Sequence, residues 1–251
     1  MPDFNLRNPR VMDFHLNNLR FWLNRGVDGF RFDAVGVLIE NRAIAWENQP
    51  ENHQVMKRIQ ALLGEYGKRF MVCEAPGDPA AFAATDSCGN AFAFGLQKHI
   101  IASVKLGRVK PDLLYTLRTQ PVERMATLLA NHDAFAGARL FKQFNGDEKS
   151  YRLAAATLLT LPGTPFIYYG EEIGMPNGAA AKDEEKRTPM RWDDSANAGF
   201  SSVMPWYPFS TDDAGITVLA QEADPESLLN WYKTLIALRK NQPALNQGAT
   251  Q

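Results

Sequence analysis

Five short apolar runs alternate with helix-forming segments along the chain, and this alternation constrains the fold more than any other feature. Strands that alternate with helices indicate a parallel sheet, because each helix carries the chain back to the start of the next strand. The predicted strands span residues 29–35, 70–74, 91–95, 125–133 and 166–169. The sequence therefore predicts an α/β fold.

Apolar residues at helical spacing predict the helices between these strands. In the first, Met12, Leu16, Leu19 and Leu23 share one face, and Gly26 closes the helix. Further helices are predicted over residues 55–67, 99–122 with a break near Pro111, 148–161, and from residue 224 onward.

Three of the apolar runs end in a carboxylate, at Asp33, Glu74 and Asp133. Burying an ionised carboxylate is costly unless it is paired, so Arg31 and Asp33, on one face of the first strand, are expected to pair at a strand end. Such a pair can also be purely structural. The C-terminal ends of parallel barrel strands form the catalytic face. The three acids are therefore expected to converge on one pocket.

Composition limits the classes of partner and of site. The chain has 251 residues, 22% of them charged, and a formal net charge of −1, which gives no electrostatic case for binding nucleic acid or an anionic membrane. No apolar run reaches transmembrane length, and the N-terminus lacks the layout of a signal peptide. Two cysteines are too few for a disulfide framework or a zinc site. Cys73 is interpreted as a small buried strand residue.

Three segments resemble signature segments of the α-amylase family of retaining α-glycosidases and transglycosidases. They are GFRFDAV at 29–35, FMVCEAP at 70–76 and LANHD at 129–133, and the resemblance continues at residues 1–5, 163–174 and 187–192. It implies a TIM-type (β/α)8 barrel, of which this chain is similar to strands four to eight. Strands one to three, the Asn-His pair of the first signature segment, the inserted small domain and the β-sandwich domain have no counterpart here.

The resemblance also implies how the chain is organised. Residues 1–251 are expected to form one partial catalytic barrel domain, with a long irregular loop at about 175–223. Met1 is expected to be an internal methionine of a longer gene or the boundary of a fragment. Unpaired sheet edges invite pairing with another chain, so self-association through the barrel edges is expected.

The family resemblance assigns a role to each of the three acids. Retaining cleavage of a glycosidic bond needs a carboxylate nucleophile and a second carboxyl group that protonates the leaving oxygen. Asp33 resembles the nucleophile, and Glu74 resembles the general acid/base. Asp133 resembles the third carboxylate, which binds sugar hydroxyls and stabilises the oxocarbenium-like transition state.

Three further residues are expected to serve substrate binding. Arg31 resembles the arginine that keeps the nucleophile ionised, and His132 resembles a hydrogen-bond donor to the same sugar. Arg139 is expected either to clamp a substrate hydroxyl or to pair with an acid in its loop. Glu171 and Glu172 are expected to form structural hydrogen bonds to the loop after the last strand.

The substrate implied by the resemblance is an α-glucan or oligosaccharide with α-glucosidic bonds, and α-1,4 bonds of maltooligosaccharides or starch are favoured. Gly36 and Val37 stand where endo-acting amylases carry a Lys-His pair, and Ala34 resembles members that cut α-1,4 bonds. The segments EEIGM and RTPMRWDD are more similar to the α-glucosidase, oligo-1,6-glucosidase and trehalose synthase branch.

Several alternatives remain open at the level of sequence. An exo-acting α-glucosidase or a transglycosidase would use the same acids, and a truncated, non-catalytic glucan-binding fragment would keep them without turnover. Trp192, Phe200 and Trp206 are available either to stack on sugar rings or to pin the loop to the barrel. No cofactor is expected, and no bound metal, because most of the family's calcium ligands lie in the parts without a counterpart.

Overall fold

The computed structural model describes residues 3–41, 46–179, 182–210 and 216–246, and the chain divides into two compact units. The first unit comprises Met1–Phe94 and Gln120–Ala126. The second comprises Gly95–Thr119 and Thr127–Gln251.

The first unit is an α/β layer built on parallel strands. Its elements are α1 (Pro9–Leu23), β1 (Gly29–Phe32), α2 (Pro50–Gly64), β2 (Phe70–Cys73), α3 (Pro79–Phe82), β3 (Ala91–Phe92) and the first two residues of β4 (Met125–Thr127). Strand β1 pairs with β2, β2 with β3, and β3 with β4, always in parallel. In this register Phe32 lies opposite Cys73, so both strands end at the same level.

The second unit is mainly helical. Its elements are α4 (Leu96–Lys105), α5 (Pro111–Thr119), the last residue of β4, α6 (Leu140–Gln143), α7 (Glu148–Thr160), β5 (Thr164–Pro165), α8 (Val218–Ala223), α9 (Leu228–Asn241) and α10 (Pro243–Asn246). The Phe166 amide, directly after β5, donates to the Thr127 carbonyl of β4 at 2.7 Å. Helix α7 packs against both α4 and α9.

Local sequence explains where the first elements begin. The Asn8 side chain caps α1 by accepting a hydrogen bond from the Arg10 amide at 3.0 Å, and Pro9 occupies the first helical position. Gly29 lets β1 approach β2 closely, because a Cβ atom at this position would lie 2.0 Å from the Phe70 carbonyl oxygen. A larger residue there would push the two strands apart.

The structure confirms the alternation of strands and helices and shifts several boundaries. All five strands are shorter than predicted, and the fifth lies at Thr164–Pro165 in place of 166–169. The loop predicted at about 175–223 contains 3-10 turns at 182–186 and 196–199 as well as α8. Residues 180–181 and 211–215 of this loop lie outside the described residues, as do residues 1–2, 42–45 and 247–251.

Cys73 is a small buried strand residue, as predicted, but it also forms a bond that the sequence analysis did not predict. Cys73 is fully buried at the end of β2, but its sulfur forms a disulfide with Cys88. The spacing of the two cysteines alone did not predict the pairing, which depends on the turn after α3, where the Cys88 amide donates to the Phe82 carbonyl at 3.1 Å. Within the described ranges, no helix is both long and apolar enough to cross a bilayer.

Candidate active site

Backbone hydrogen bonds at the C-terminal ends of β1 and β2 place Asp33 and Glu74 side by side. The Glu74 amide donates to the Phe32 carbonyl at 2.8 Å, and the Val35 amide donates to the Glu74 carbonyl at 3.1 Å. Both acids thus directly follow paired strands, where the sequence predicts them. The parallel register explains this placement, because it brings the two strand ends to the same level.

Arg31 bridges the two acids. Its Nη2 donates to Glu74 Oε2 at 2.7 Å, and its Nη1 forms an ion pair with Asp33 Oδ1. The predicted pairing of Arg31 with Asp33 is thus present, and the contact with Glu74 is an addition to it. Ala34 contributes a fourth group, because its amide donates to Glu74 Oε2 at 3.1 Å.

The two acids differ sharply in their surroundings. The Glu74 side chain is 8% exposed, whereas that of Asp33 is 71% exposed. Burial raises the pKa of Glu74 above its ordinary value, and a hydrogen bond with Asp33 raises it further, while the Ala34 amide and the Arg31 charge oppose the rise. A carboxyl group with a raised pKa beside an open carboxylate is the pairing that a general acid and a nucleophile need.

An apolar cavity of ≈ 400 Å³ borders Asp33 within the first unit. Its walls come from α1, β1 and α2, and include Met12, Phe32 and Ile59. Asp33 therefore lies at the boundary between solvent and an apolar wall, where electrostatic interactions are stronger than in bulk water.

In the second unit, Asp133 belongs to a separate polar cluster. The Asn131 side chain accepts a hydrogen bond from the Asp133 amide at 2.8 Å and so shapes the turn after β4. His132 Nε2 lies 3.3 Å from Asp133 Oδ2. The Asp133 side chain is 20% exposed and that of His132 is 41% exposed, so both remain accessible to a ligand.

Arg187 completes this cluster, and the sequence analysis did not single it out. Its Nη2 lies 3.2 Å from Asp133 Oδ1, and its Nε donates to the His132 carbonyl at 3.2 Å. Asp183 supports the arrangement, because it accepts the Ala134 amide and lies 3.7 Å from the Arg187 guanidinium. The signal for Arg187 was its place in the RTPMRW segment, although 54 residues separate it from Asp133.

Arg139 lies in a buried environment formed by loop backbone. Only 2% of the Arg139 residue is exposed to solvent. Its Nη1 and Nη2 donate to the carbonyls of Tyr169 and Lys186, both at 2.7 Å. The guanidinium therefore holds two loop segments together, and its charge lowers the pKa of Glu171 and Glu172, so we propose a structural role for it.

Glu171 and Glu172 also lie in a structural setting. Tyr232 donates to Glu171 Oε1 at 2.8 Å, and burial raises the pKa of Glu171 to about 8. Tyr232 lies on α9, whereas backbone groups of the loop after β5, at Tyr168 and Gly170, hydrogen-bond the Glu171 and Glu172 carboxyl groups, as the sequence analysis expected. Burial also raises the pKa of Glu172. Within the described part of the chain, no group of three or more His, Cys, Asp or Glu side chains is arranged to hold a metal ion.

The structure thus groups the predicted site residues into two sets. Arg31, Asp33 and Glu74 lie together in the first unit, and His132 and Asp133 lie together in the second. The convergence of all three acids on one pocket stays a prediction.

Comparisons with known proteins agree on one family. The family model of the α-amylase catalytic domain matches residues 1–248. The chain is 33% identical to the trehalose synthase/amylase TreS of Mycobacterium tuberculosis, covering 100% of this chain and 50% of that protein. It is 30% identical to a probable α-glucosidase of Rhizobium meliloti, covering 98% and 54%.

A solved structure supports the same conclusion for the fold. The α-amylase of H. orenii superposes with a TM-score of 0.77 at 28% identity, over 98% of this chain and 50% of that one. The chain spans about half the length of the relatives it matches. The fold is therefore part of a TIM-type (β/α)8 barrel, and the chain belongs to the α-amylase family of glycosidases and transglycosidases.

Proposed function

We propose that this chain carries the nucleophile and the general acid/base of a retaining α-glycosidase. The observation that supports this most directly is the Arg31 bridge: one guanidinium contacts an open carboxylate, Asp33, and a buried carboxyl group, Glu74, whose pKa is raised by burial. A single cation that contacts both an open carboxylate and a buried carboxyl group with a raised pKa suits a double displacement.

In the first step, Asp33 attacks the anomeric carbon while Glu74 donates its proton to the leaving glycosidic oxygen. The C–O bond to the leaving group breaks, and an ester bond to Asp33 forms. In the second step, Glu74 removes a proton from water, the water oxygen attacks the same carbon, and the carboxylate of Asp33 is released. The stereochemistry at the anomeric carbon is retained after two inversions.

We further propose that Asp133 stabilises the positive charge that develops on the sugar ring in the transition state, as the family resemblance implies. Its cluster in the second unit suits this role, because Arg187 and His132 leave the carboxylate partly open. A carboxylate fixed in place before the reaction needs little reorganisation when the charge appears.

The proposed substrate is an α-1,4-linked maltooligosaccharide or starch chain. The relatives of this chain include a trehalose synthase/amylase and a probable α-glucosidase. Exo-action and transglycosylation are therefore the nearest alternatives. Transglycosylation differs only in the second step, where a sugar hydroxyl replaces water. Product analysis at high substrate concentration separates the two.

The direct test is hydrolysis of a chromogenic maltooligosaccharide by the parent chain and by the Asp33→Asn variant. We expect product release by the parent and its loss in the variant. Asp28→Asn is the matched control, because Asp28 precedes the same strand with its side chain 94% exposed. Equal silence of parent and variant in a folded protein would contradict the proposed activity for this chain and favour the non-catalytic glucan-binding alternative.

Self-association through the edge of the sheet is also proposed. Among the described residues, β1 pairs with a strand on one side only, and α1 beside it exposes Phe14 and Trp22 by 56% and 52%. Open strand edges and exposed apolar patches favour pairing between chains. Light scattering over a range of concentrations should show species larger than 28.1 kDa, and a monodisperse monomer would contradict this.

A further inference from the structure

The disulfide between Cys73 and Cys88 closes a covalent ring that contains Glu74, and the proposed chemistry does not use this bond. The ring runs from Cys73, the last residue of β2, through α3 to Cys88. Glu74 is the first residue inside the ring and directly follows the bonded Cys73. The backbone that leaves the proposed acid therefore returns to the same strand end.

Backbone hydrogen bonds fix the near end of the ring to the sheet. The Cys73 amide donates to the Asn90 carbonyl at 3.0 Å, and the Glu74 amide donates to the Phe32 carbonyl at 2.8 Å. Phe32 lies opposite Cys73 in the parallel register of β1 and β2. Movement of this end would break hydrogen bonds of the sheet.

Helix α2 holds the far end of the ring. His53 Nδ1 lies 2.8 Å from Ser87 Oγ, and the His53 ring stacks on Phe82 with 4.1 Å between the ring centroids. The Cys88 amide donates to the Phe82 carbonyl at 3.1 Å. Both Ser87 and Cys88 are buried. The disulfide therefore joins a segment that packs on α2 to the strand that carries Glu74.

The part of the ring that directly follows the acid region is open to solvent. Pro76, Gly77 and Asp78 are all exposed, so burial contributes little to holding them in place. A closed ring restricts such a segment, because the covalent link limits the conformations that its backbone can adopt. Next to this exposed segment, the Glu74 side chain is only 8% exposed.

We propose that the disulfide positions Glu74 as the general acid/base, because it holds the segment after the acid in the arrangement that keeps the carboxyl group buried. Cys73 and Cys88 are then positioning residues, which act through Glu74. This inference rests on the proposed function and adds a covalent constraint on the acid that the function needs.

Opening of the ring should make Glu74 more acidic. Two charged groups face Glu74 in the first unit, namely Arg31 of β1 and Asp33 directly after β1. Neither belongs to the ring, so both keep their places when the disulfide is absent. Burial is the largest cause that raises the pKa of Glu74. Water that reaches the carboxyl group should therefore lower this pKa toward its ordinary value.

The test is an NMR titration of the Glu74 carboxyl group in protein that carries carbon-labelled glutamate, with the signal identified from a Glu74→Gln variant. We compare the parent with Cys88→Ala, in which the ring is open. Leu23→Ala is the control, because truncation of this buried leucine of α1 loosens the same unit while the ring stays closed. The pKa of Glu74 should fall in Cys88→Ala and stay unchanged in Leu23→Ala.

Reduction of the parent opens the ring without any substitution. A water-soluble phosphine cleaves the S–S bond, and the phosphine takes the oxygen of one water molecule to become a phosphine oxide. The two hydrogens of that water complete the two thiols. The pKa of Glu74 should fall in the reduced parent as it does in Cys88→Ala, and the phosphine should not alter the titration of Cys88→Ala. Circular dichroism checks that each form is folded.

Steady-state kinetics supplies a second readout. The alkaline limb of kcat/KM should move to lower pH in Cys88→Ala and in the reduced parent, and stay in place in Leu23→Ala. A role of the disulfide in stability alone would not move this limb. The titration itself needs no turnover, so failure of the proposed activity and failure of the positioning role are separate results.

Three outcomes would overturn the inference. An unchanged pKa of Glu74 in a folded protein with an open ring would show that the disulfide does not set the surroundings of the acid. An equal fall in Leu23→Ala would assign the effect to general loosening of the unit. Unfolding of both ring-opened forms would show that the bond supports the whole unit and has no specific action on Glu74.

Discussion

Arg187 and Asp133 are joined side chain to side chain at 3.2 Å, although 54 residues of chain separate them. The same guanidinium donates to the carbonyl of His132, so it fixes both the carboxylate and the backbone that carries it. Asp133 is thus oriented by a residue of the segment after β5 as well as by its own turn.

Replacement of Arg187 by glutamine should lower kcat and leave KM for short maltooligosaccharides less affected. Loss of a charge-assisted hydrogen bond to a partly buried carboxylate costs about 1.5–3 kcal/mol, which corresponds to roughly ten- to hundredfold in rate. Steady-state kinetics measures the split between kcat and KM. Arg118→Gln, at an exposed position of α5, is the control, and a pure KM effect would contradict the orienting role.

Removal of the Arg31 charge should change the pH profile as well as the rate. The Arg31 charge lowers the pKa of Glu74 against the effect of burial, so Arg31→Met should raise that pKa and move the alkaline limb of kcat/KM to higher pH. The rate at the optimum should fall, because Asp33 loses its cation. Arg7→Met, which removes an exposed ion pair with Glu51, should leave the profile unchanged. An alkaline limb that moves down or stays in place would refute the assignment of Glu74 as the acid.

Stability should depend on pH through Glu171. Its pKa is about 8 in the folded chain and near 4.5 when exposed, so the folded state holds a proton that the unfolded state releases between these values. The free energy of unfolding therefore falls as pH rises from about 4.5 to about 8 and levels off above that.

Glu171→Gln should remove this dependence while keeping an acceptor for Tyr232. Its stabilisation relative to the parent should be near zero at pH 4.5 and grow to on the order of a few kcal/mol at pH 9. Urea unfolding at several pH values measures the trend, with the exposed Glu123→Gln as control. A difference between parent and variant that is the same at all pH values would argue against a protonated Glu171.

The disulfide between Cys73 and Cys88 should contribute measurably to the stability of the first unit. It joins residues 15 positions apart, and closing a loop of that length stabilises a fold by about 3 kcal/mol. Cys88→Ala should lower the free energy of unfolding by that order. Reductant should destabilise the parent similarly and leave the variant unchanged. Equal sensitivity of both to reductant would exclude the disulfide as the cause.

Structure that depends on neighbouring residues could be predicted from sequence, whereas side-chain contacts between residues far apart in the chain could not. The strand–helix alternation and the Arg31–Asp33 pair follow from side-chain periodicity over a few positions. The contact of Arg31 with Glu74 depends on strand register across 43 residues, and that of Arg187 with Asp133 depends on the course of an aperiodic loop. For Arg139 the sequence left open a contact with substrate or with a loop acid, and it could not predict that the guanidinium donates to the carbonyls of Tyr169 and Lys186, 30 and 47 residues further along the chain.

The position of Arg31 between Asp33 and Glu74 has a consequence for the charge balance of the proposed reaction. Before the first step the three side chains carry one positive charge, on Arg31, and one negative charge, on Asp33. After it Asp33 is a neutral ester and Glu74 carries the negative charge, so the sum is unchanged. Nη1 contacts Asp33 and Nη2 contacts Glu74 before the reaction begins. The negative charge therefore moves from Asp33 to Glu74 and stays paired with the same guanidinium. The forward and return steps then require no movement of the cation.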